Sequence, residues 1–426
     1  METRWSMNIL LVYLIFVSIS EKNTVSQPMP KDQQTDVEFP PTIKKSNTAA
    51  VPTGHLRPLG YQRKPEGKVK EYEEAPHPKK FWEDHVSKKR PLVLRQALTE
   101  SPAALNWDDD YLRKNYGDVD VLIEKKRENR DTQPQRMQFS EFIDNYKVED
   151  WYVVTVLPDE MRQDVEVPKC LLCGTFRKYL HECNLWMSSG GTASVLHYDA
   201  DHNIHCLFDG RKDFIMIEQR FQRYLSMVDK NKWSGSGFST LDMDMINMFE
   251  NPGVGKVPWT WATLRRGDCI YLPAGYLHQV RSYGRSLAAT FLFTVDGQFN
   301  DTGCADESFE QTSLADVDVI WTYKKGDKTI DMGYMNVEQL RRNFLELIED
   351  DLLIKDKFEA FYYTMQDKDT EELPPIDEAW TLIEYTQKGF LTQRDVINMD
   401  RELLKDFARF IDPPHGPAGG HFHDEL

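Results

Sequence analysis

Ser194-Val195-Leu196-His197-Tyr198-Asp199 opens the stretch that decides the fold, and Asn203-Ile204-His205-Cys206-Leu207-Phe208-Asp209-Gly210-Arg211-Lys212-Asp213-Phe214-Ile215-Met216 completes it. His197 and Asp199 stand two apart, and in a strand such residues project from the same face. An imidazole and a carboxylate therefore emerge side by side from a rigid backbone. Beyond them, Asp209-Gly210 between two apolar runs predicts a two-residue hairpin. That register sets Leu207 opposite Lys212, His205 opposite Phe214 and Asn203 opposite Met216. Cross-strand partners share a face, so Asn203, His205, Leu207 and Lys212 are expected to look the same way. A buried lysine needs an anion as partner. A bound dicarboxylate would supply one.

The surrounding sequence reads mostly as β structure. From 184 to 296, short apolar runs alternate with Gly, Asp and Pro, giving strand candidates at Ser194–Asp199, Asn203–Phe208, Lys212–Glu218, Cys269–Leu272, Gln279–Arg281 and Leu287–Thr294. Short strands in this number suit a sandwich or barrel. Gly267-Asp268, the run Cys269-Ile270-Tyr271-Leu272 and the bend Pro273-Ala274-Gly275 lead to His278, the candidate third ligand. Two imidazoles and one carboxylate on one face of an octahedral ion leave three positions open.

These residues carry a family likeness. Trp186, Gly190-Gly191-Thr192, Ser194, His197-Tyr198-Asp199, Asn203 and Gly210-Arg211-Lys212, then Gly267-Asp268 through Leu272-Pro273 and Gly275 to His278, resemble the jumonji-C, or cupin-like, hydroxylases. Upstream, Pro91-Leu92-Val93-Leu94, Trp107, Tyr111-Leu112 and Tyr116-Gly117-Asp118 resemble the start of that fold, so the likeness covers about residues 75 to 296. It implies a mostly β core, a double-stranded β-helix of cupin or jelly-roll kind; alternating local signals before it and helical periodicity after about 305 add an N-terminal α/β flank and a C-terminal helical region. It also implies Fe(II) bound by His197, Asp199 and His278, with 2-oxoglutarate and oxygen consumed. Lys212 would pair with the distal carboxylate of 2-oxoglutarate, and Asn203, Ser194 and Tyr152 would line its pocket. Trp186 reads equally as pocket wall or core packing. The family often ends this core in two adjacent aromatics, whereas here Leu292 separates Phe291 from Phe293. Among the remaining residues, His205 reads as a buried histidine rather than a ligand, His202 as a loop residue, and His181 and Glu182 as surface.

Composition narrows the partners. The 426 residues carry a formal net charge of -17, and 40% are hydrophobic and 12% aromatic, enough for a sizeable core. Such an acidic chain repels phosphates, which argues against nucleic acid and anionic lipid and favours a protein or peptide substrate. At the start, Arg4, the apolar run Ile9 to Val17 and Ser18-Ile19-Ser20 read as a cleavable secretory signal over residues 1–20. The run falls short of the roughly 20 residues that span a bilayer. A short membrane anchor is the competing reading; otherwise no stable insertion is expected after cleavage. At the other end, His423-Asp424-Glu425-Leu426 matches the retrieval address read by the HDEL receptor of the endoplasmic reticulum. Together the two signals predict residence in the endoplasmic reticulum lumen, with the substrate a protein of the secretory pathway.

The expected organisation is a disordered linker over 21–55, a catalytic domain over 56–300, an acidic helical region over 301–412 and a tail over 413–426. Phe81 to Arg90 and a segment opening at Asp108 are expected helices in the flank. Of six cysteines, Cys170, Cys173 and Cys183 are the expected disulfide formers, while Cys206 and Cys269 read as buried thiols. Asn300-Asp301-Thr302 is a glycosylation sequon.

Two other functions compete. A non-catalytic cupin scaffold could hold lumenal clients without turnover. Calcium sensing is the third: Asp367-Lys368-Asp369-Thr370-Glu371 starts like an EF-hand loop, with Glu378 at its twelfth place. Glu372 replaces the needed glycine, however, and Pro374-Pro375 follow. A second loop from Glu384 has Gly389 and Asp395 in place but Lys388 at a ligand position. These read as a degenerate EF-hand pair, with ordinary helical packing as the alternative.

Overall fold

The computed structural model describes residues 37–44, 50–127, 134–229, 236–295, 298–304, 310–317, 319, 322–325, 328–331, 337–365 and 374–411. The signal at 1–20, most of the expected linker, residues 366–373 of the first calcium-type loop and the tail with His423–Leu426 lie outside them. Within the linker's expected range, Phe39 packs edge-on against Trp261 with ring centroids 5.8 Å apart. Among the described residues no helix is long and apolar enough to cross a membrane.

The core is one large mixed β-sheet wrapped on itself. Its strands include β1 (Leu92–Leu94), β2 (Asp120–Glu124), β3 (Tyr152–Val156), β4 (Leu180–Ser188), β5 (His197–Tyr198) and β6 (His202–Ile217). After these come β7 (Gly237–Ser239), β8 (Thr260–Arg265), β9 (Cys269–Leu272) and β10 (Leu277–Phe293). The hydrogen-bonded order is β1-β9-β6-β10-β4-β3-β2, with β8 on β6 and β5 between β7 and β10. The long β6 and β10 organise the whole. Asn203–Cys206 of β6 pairs with β9, while Arg211–Met216 pairs with β8. β10 follows β6 along both halves and adds β4 beside its second half. This is the double-stranded β-helix expected.

The expected hairpin at Asp209-Gly210 does not form. β6 continues through it as a single 16-residue strand, because each half finds its partner in β10 rather than in the other half. Gly210, at φ +87°, kinks β6 where Gly284, at φ +68°, kinks β10. The kink reverses the alternation of side chains, so Asn203 and His205 share the cleft side with Lys212 and Phe214. Leu207 packs with Phe214 on that side, while Arg211 and Asp213 pair with each other on the opposite face. The facing expected of the four residues therefore stands, achieved by a kink instead of a turn.

Arg285 locks this corner. It donates to Asp209 at 2.6 Å, to Asp109 at 2.9 Å and to the Trp107 carbonyl at 2.8 Å. A Cβ on Gly210 would sit 2.2 Å from the Arg285 carbonyl oxygen. Gly210→Val combines that overlap with a left-handed backbone that β-branched residues resist. It should destabilise the protein by about 3 kcal/mol or more, read as a fall in the urea midpoint.

The flank is tied to the core by buried polar contacts. Asp108 caps helix α1 (Asp109–Tyr116), accepting from the Tyr111 amide at 2.7 Å. Trp107, Tyr111 and Tyr116 donate to one Asp164 carboxylate oxygen at 2.9, 2.9 and 2.6 Å. The helix expected from Phe81 begins earlier, at Pro78, and ends by Val86, because His77 caps its first turn.

The cysteine expectations are corrected. Cys206 and Cys269 form a disulfide, since the β6–β9 register puts them directly opposite with Cα atoms 4.0 Å apart. Cys173 pairs with Cys304, while Cys170 and Cys183 are buried free thiols whose pKa values burial pushes up. Two further residues are also misplaced by the sequence reading: His181 and Glu182 are 1% and 6% exposed. Both are buried on β4 rather than at the surface.

The C-terminal region has its own apolar cluster, including Phe344, Phe358, Trp380, Leu391 and Phe407. Helix α2 (Val337–Glu346) leads to β11 (Leu352–Ile354) and helix α3 (Lys355–Tyr362). Helix α4 (Ile376–Ile383) leads likewise to β12 (Phe390–Thr392) and helix α5 (Gln393–Ile397). β11 and β12 pair with Leu353 opposite Leu391. By that register the loop from Glu384 is matched by the segment Glu346–Lys357, which makes its turn with Asp350 and Asp351 at positive φ. Side-chain cations sit at ligand places in both loops: Lys388 is 3.7 Å from Asp395, and Lys357 is 2.9 Å from Glu349. Calcium is therefore expected to leave the helicity of this region unchanged. Circular dichroism with and without chelator checks it.

Candidate metal centre

His197 lies on the two-residue strand β5, and β10 places His278 directly opposite it. Asp199 follows β5, its carbonyl held by the Gly275 amide at 2.9 Å, so the Pro-Gly bend before His278 also fixes the carboxylate's backbone. The two imidazole centroids are 4.2 Å apart. His197 Nε2 is 3.8 Å from Asp199 Oδ1, and His278 Nε2 is 3.7 Å from Oδ2.

The protonation state follows from the neighbours. His197 Nδ1 is 3.0 Å from the Val195 carbonyl and His278 Nδ1 is 3.0 Å from the Tyr276 carbonyl. A carbonyl only accepts, so each Nδ1 carries a proton and Nε2 is left as the nitrogen that faces a metal. Burial, then the neighbouring His197, pushes the His278 pKa down to about 4, which keeps it neutral. Asn203 donates to Asp199 Oδ2 at 2.7 Å and so orients the carboxylate. Among the described residues these three are the one cluster of at least three ligand side chains with donor atoms all within 4.8 Å of one another. Two bare imidazole nitrogens and one oriented carboxylate fit a divalent ion bound on a single face.

The three side chains stand in a cleft of about 1180 Å³, its open mouth included. Every residue assigned by sequence to the site lines it: Tyr152, Ser194, Asn203 and Lys212 join the three ligands. Ser194 accepts from the Val280 amide at 2.9 Å. Tyr152 packs beside Trp186, and burial raises its phenol pKa, with Glu124 adding to the effect. Trp186 itself lines the cleft, its ring centroid 5.8 Å from Lys212 Nζ, which settles it as a wall residue. Lys212 is 2% exposed, and among the described residues it has no hydrogen bond or ion pair. Burial alone pulls its pKa down to about 7.

Sequence reasoning missed Thr290. Its hydroxyl lies 2.8 Å from both Trp186 Nε1 and His205 Nδ1. The available signal was spacing, because Thr290 is two residues before Leu292 and so shares its face. Leu292 itself lines the cleft, whereas Phe291 and Phe293 are fully buried in the core. The departure from paired aromatics thus falls on the cleft wall. His202, read as a loop residue, is a buried member of β6 with Nδ1 2.7 Å from the Tyr271 hydroxyl.

A double-stranded β-helix holding two histidines and an aspartate on one face defines a class of metal-binding barrel. Residues 78–298, half of the chain, match the cupin-like domain, and the chain belongs to that family. It is distantly related to jumonji-C hydroxylases and demethylases. It is 26% identical over 231 residues to lysine-specific demethylase JMJ30 of Arabidopsis thaliana, covering 51% of this chain and 53% of that protein. Over 266 residues it is 21% identical to the bifunctional peptidase and (3S)-lysyl hydroxylase JMJD7 of Homo sapiens, covering 53% and 83%. JmjC domain-containing protein D of Dictyostelium discoideum is 25% identical over 253 residues, covering 52% and 55%. The chain thus spans about half the length of the Arabidopsis and Dictyostelium relatives.

Proposed function

We propose that this chain is an Fe(II)- and 2-oxoglutarate-dependent dioxygenase that hydroxylates a protein side chain. The observation that carries the reading is one cleft holding both a three-ligand face and a buried lysine without a counter-charge. When bound, ferrous iron would supply the oxygen chemistry that couples decarboxylation of 2-oxoglutarate to insertion of one oxygen atom into a substrate C–H bond.

The chain's own residues set the stage for it. His197, Asp199 and His278 would hold the ion on one face and leave the opposite positions toward the cleft. Lys212 would neutralise the distal carboxylate of 2-oxoglutarate, with Tyr152 and Ser194 beside it. Trp186 and Leu292 wall the cleft and limit water. A scaffold that only binds clients needs none of this ligand set.

The test is incubation with secretory-pathway extract and a search for peptides that gain one oxygen with wild-type protein and not with His197→Ala. The lysine chemistry in the names of the Arabidopsis and human relatives makes lysyl peptides the first class to assay. No oxygen gain on any peptide, with metal bound, would sink the reading.

We also propose residence in the endoplasmic reticulum lumen, on the signal-like residues 1–20 and the His423–Leu426 sequence. Removing the last four residues should divert most of the protein to the medium, measured by immunoblot of cells and supernatant. The retained wild type should carry an endoglycosidase-H-sensitive glycan on Asn300, which is exposed.

A further inference from the structure

The co-substrate end of the cleft contains a second polar atom without a partner. His205 is 7% exposed and lines the cleft on the same side as Lys212. Its Nε2 is buried and makes no hydrogen bond. Its Nδ1 is 2.8 Å from Thr290 Oγ1, which is also 2.8 Å from Trp186 Nε1.

Proton counting at Thr290 fixes the tautomer. The indole N–H of Trp186 can only donate, so it takes one lone pair of the hydroxyl. The hydroxyl's own proton then needs an acceptor, and His205 Nδ1 is the one it has among the described residues. His205 Nδ1 is therefore unprotonated, and the proton resides on Nε2. This is opposite to His197 and His278, whose Nδ1 protons go to backbone carbonyls. Burial, with the Lys212 charge adding to it, holds the His205 pKa well below its usual value, so the ring is neutral. The cleft thus presents a neutral N–H from His205 and an ammonium from Lys212, both donors.

We propose that His205, set by Thr290 and Trp186, donates its Nε2–H to the distal carboxylate of 2-oxoglutarate beside Lys212 and selects for that group. This rests on the co-substrate reading above. An acceptor-only carboxylate satisfies both donors, whereas a carboxamide would turn an N–H₂ against them. Asn203 Oδ1, also buried and without a partner, lies with these residues in the cleft, but its amide nitrogen is already committed to Asp199.

The test is calorimetric titration of the full-length, Mn(II)-loaded protein with 2-oxoglutarate and with pyruvate, which lacks the distal carboxylate. His205→Leu should weaken 2-oxoglutarate binding by about ten-fold or more, the size of a hydrogen bond to a charged group. Pyruvate binding should change less than about two-fold, because the lost partner is absent. His205→Gln, which offers an amide N–H, should recover part of the loss. Nitrogen-15 NMR of histidine-labelled, Zn(II)-loaded wild type needs no substitution. It should show His205 protonated on Nε2, with that proton shifting on addition of 2-oxoglutarate and not of pyruvate. A His205 proton on Nδ1, or 2-oxoglutarate affinity unchanged in a folded His205→Leu, overturns this inference and leaves the co-substrate reading standing. Wild type that binds the metal and pyruvate but gains no affinity from the distal carboxylate overturns that reading, and this inference with it.

Discussion

Lys212→Met is expected to stabilise the ligand-free protein while lowering its affinity for 2-oxoglutarate by roughly two to three orders of magnitude, the loss typical when one partner of a buried charge pair is removed. Lys212 is buried without a counter-charge, and burial pulls its pKa from 10.5 to about 7. The unfolded chain therefore binds the extra proton between about pH 7 and the unfolded value near 10.4, while the folded chain does not. Stability from this group rises with pH through that window, and its full cost is present below about pH 7. Methionine has similar length and no charge, so it removes the cost. The melting temperature of ligand-free wild type should climb between pH 7 and pH 9 by more than that of Lys212→Met. Adding 2-oxoglutarate at pH 7 should raise the wild type and leave the variant unmoved. A variant that melts lower and still binds 2-oxoglutarate normally would assign Lys212 to structure alone.

The second large effect concerns the carboxylate ligand. Asp199→Ala should weaken divalent metal binding at least about 100-fold, beyond the 10- to 100-fold typical of losing a hydrogen-bond partner behind a ligand. Two-oxoglutarate consumption should fall to background. Asn203→Ala, which removes only the 2.7 Å bond to Asp199 Oδ2, should cost less. The fold should survive in both, since the side chains face the cleft and not the apolar clusters. Metal affinity by competition with a chromogenic chelator, and circular dichroism on the same samples, separate loss of the site from loss of the fold. Wild-type metal affinity in Asp199→Ala would remove the carboxylate from the ligand set.

The ligand face was readable because two local signals are strong. A two-residue spacing in a strand places His197 and Asp199 on one side, and the Pro-Gly bend aims His278 at them. The corner at Asp209-Gly210 misled because an Asp-Gly pair between apolar runs looks the same in a hairpin and in a kinked continuous strand. What distinguishes them is the long partner β10, supplied from some 70 residues further on. The Cys206–Cys269 bond is likewise a matter of register between distant strands. His181 and Glu182 looked like surface because polar residues usually are. In the calcium-type pair, Glu346–Lys357 was overlooked because Asp351, not glycine, takes the positive φ in its turn. Thr290 had no motif at all. Its place emerges only once β10 lies against β4 and β6.

The most direct test of the central claim is succinate formation by purified protein supplied with Fe(II), 2-oxoglutarate and oxygen. Succinate and carbon dioxide should appear in equal amounts, rise with a hydroxylatable peptide, and vanish in Asp199→Ala. Iron bound at the His197–Asp199–His278 face with 2-oxoglutarate left unconsumed, even in the presence of secretory-pathway peptides, would contradict it and leave a binding scaffold.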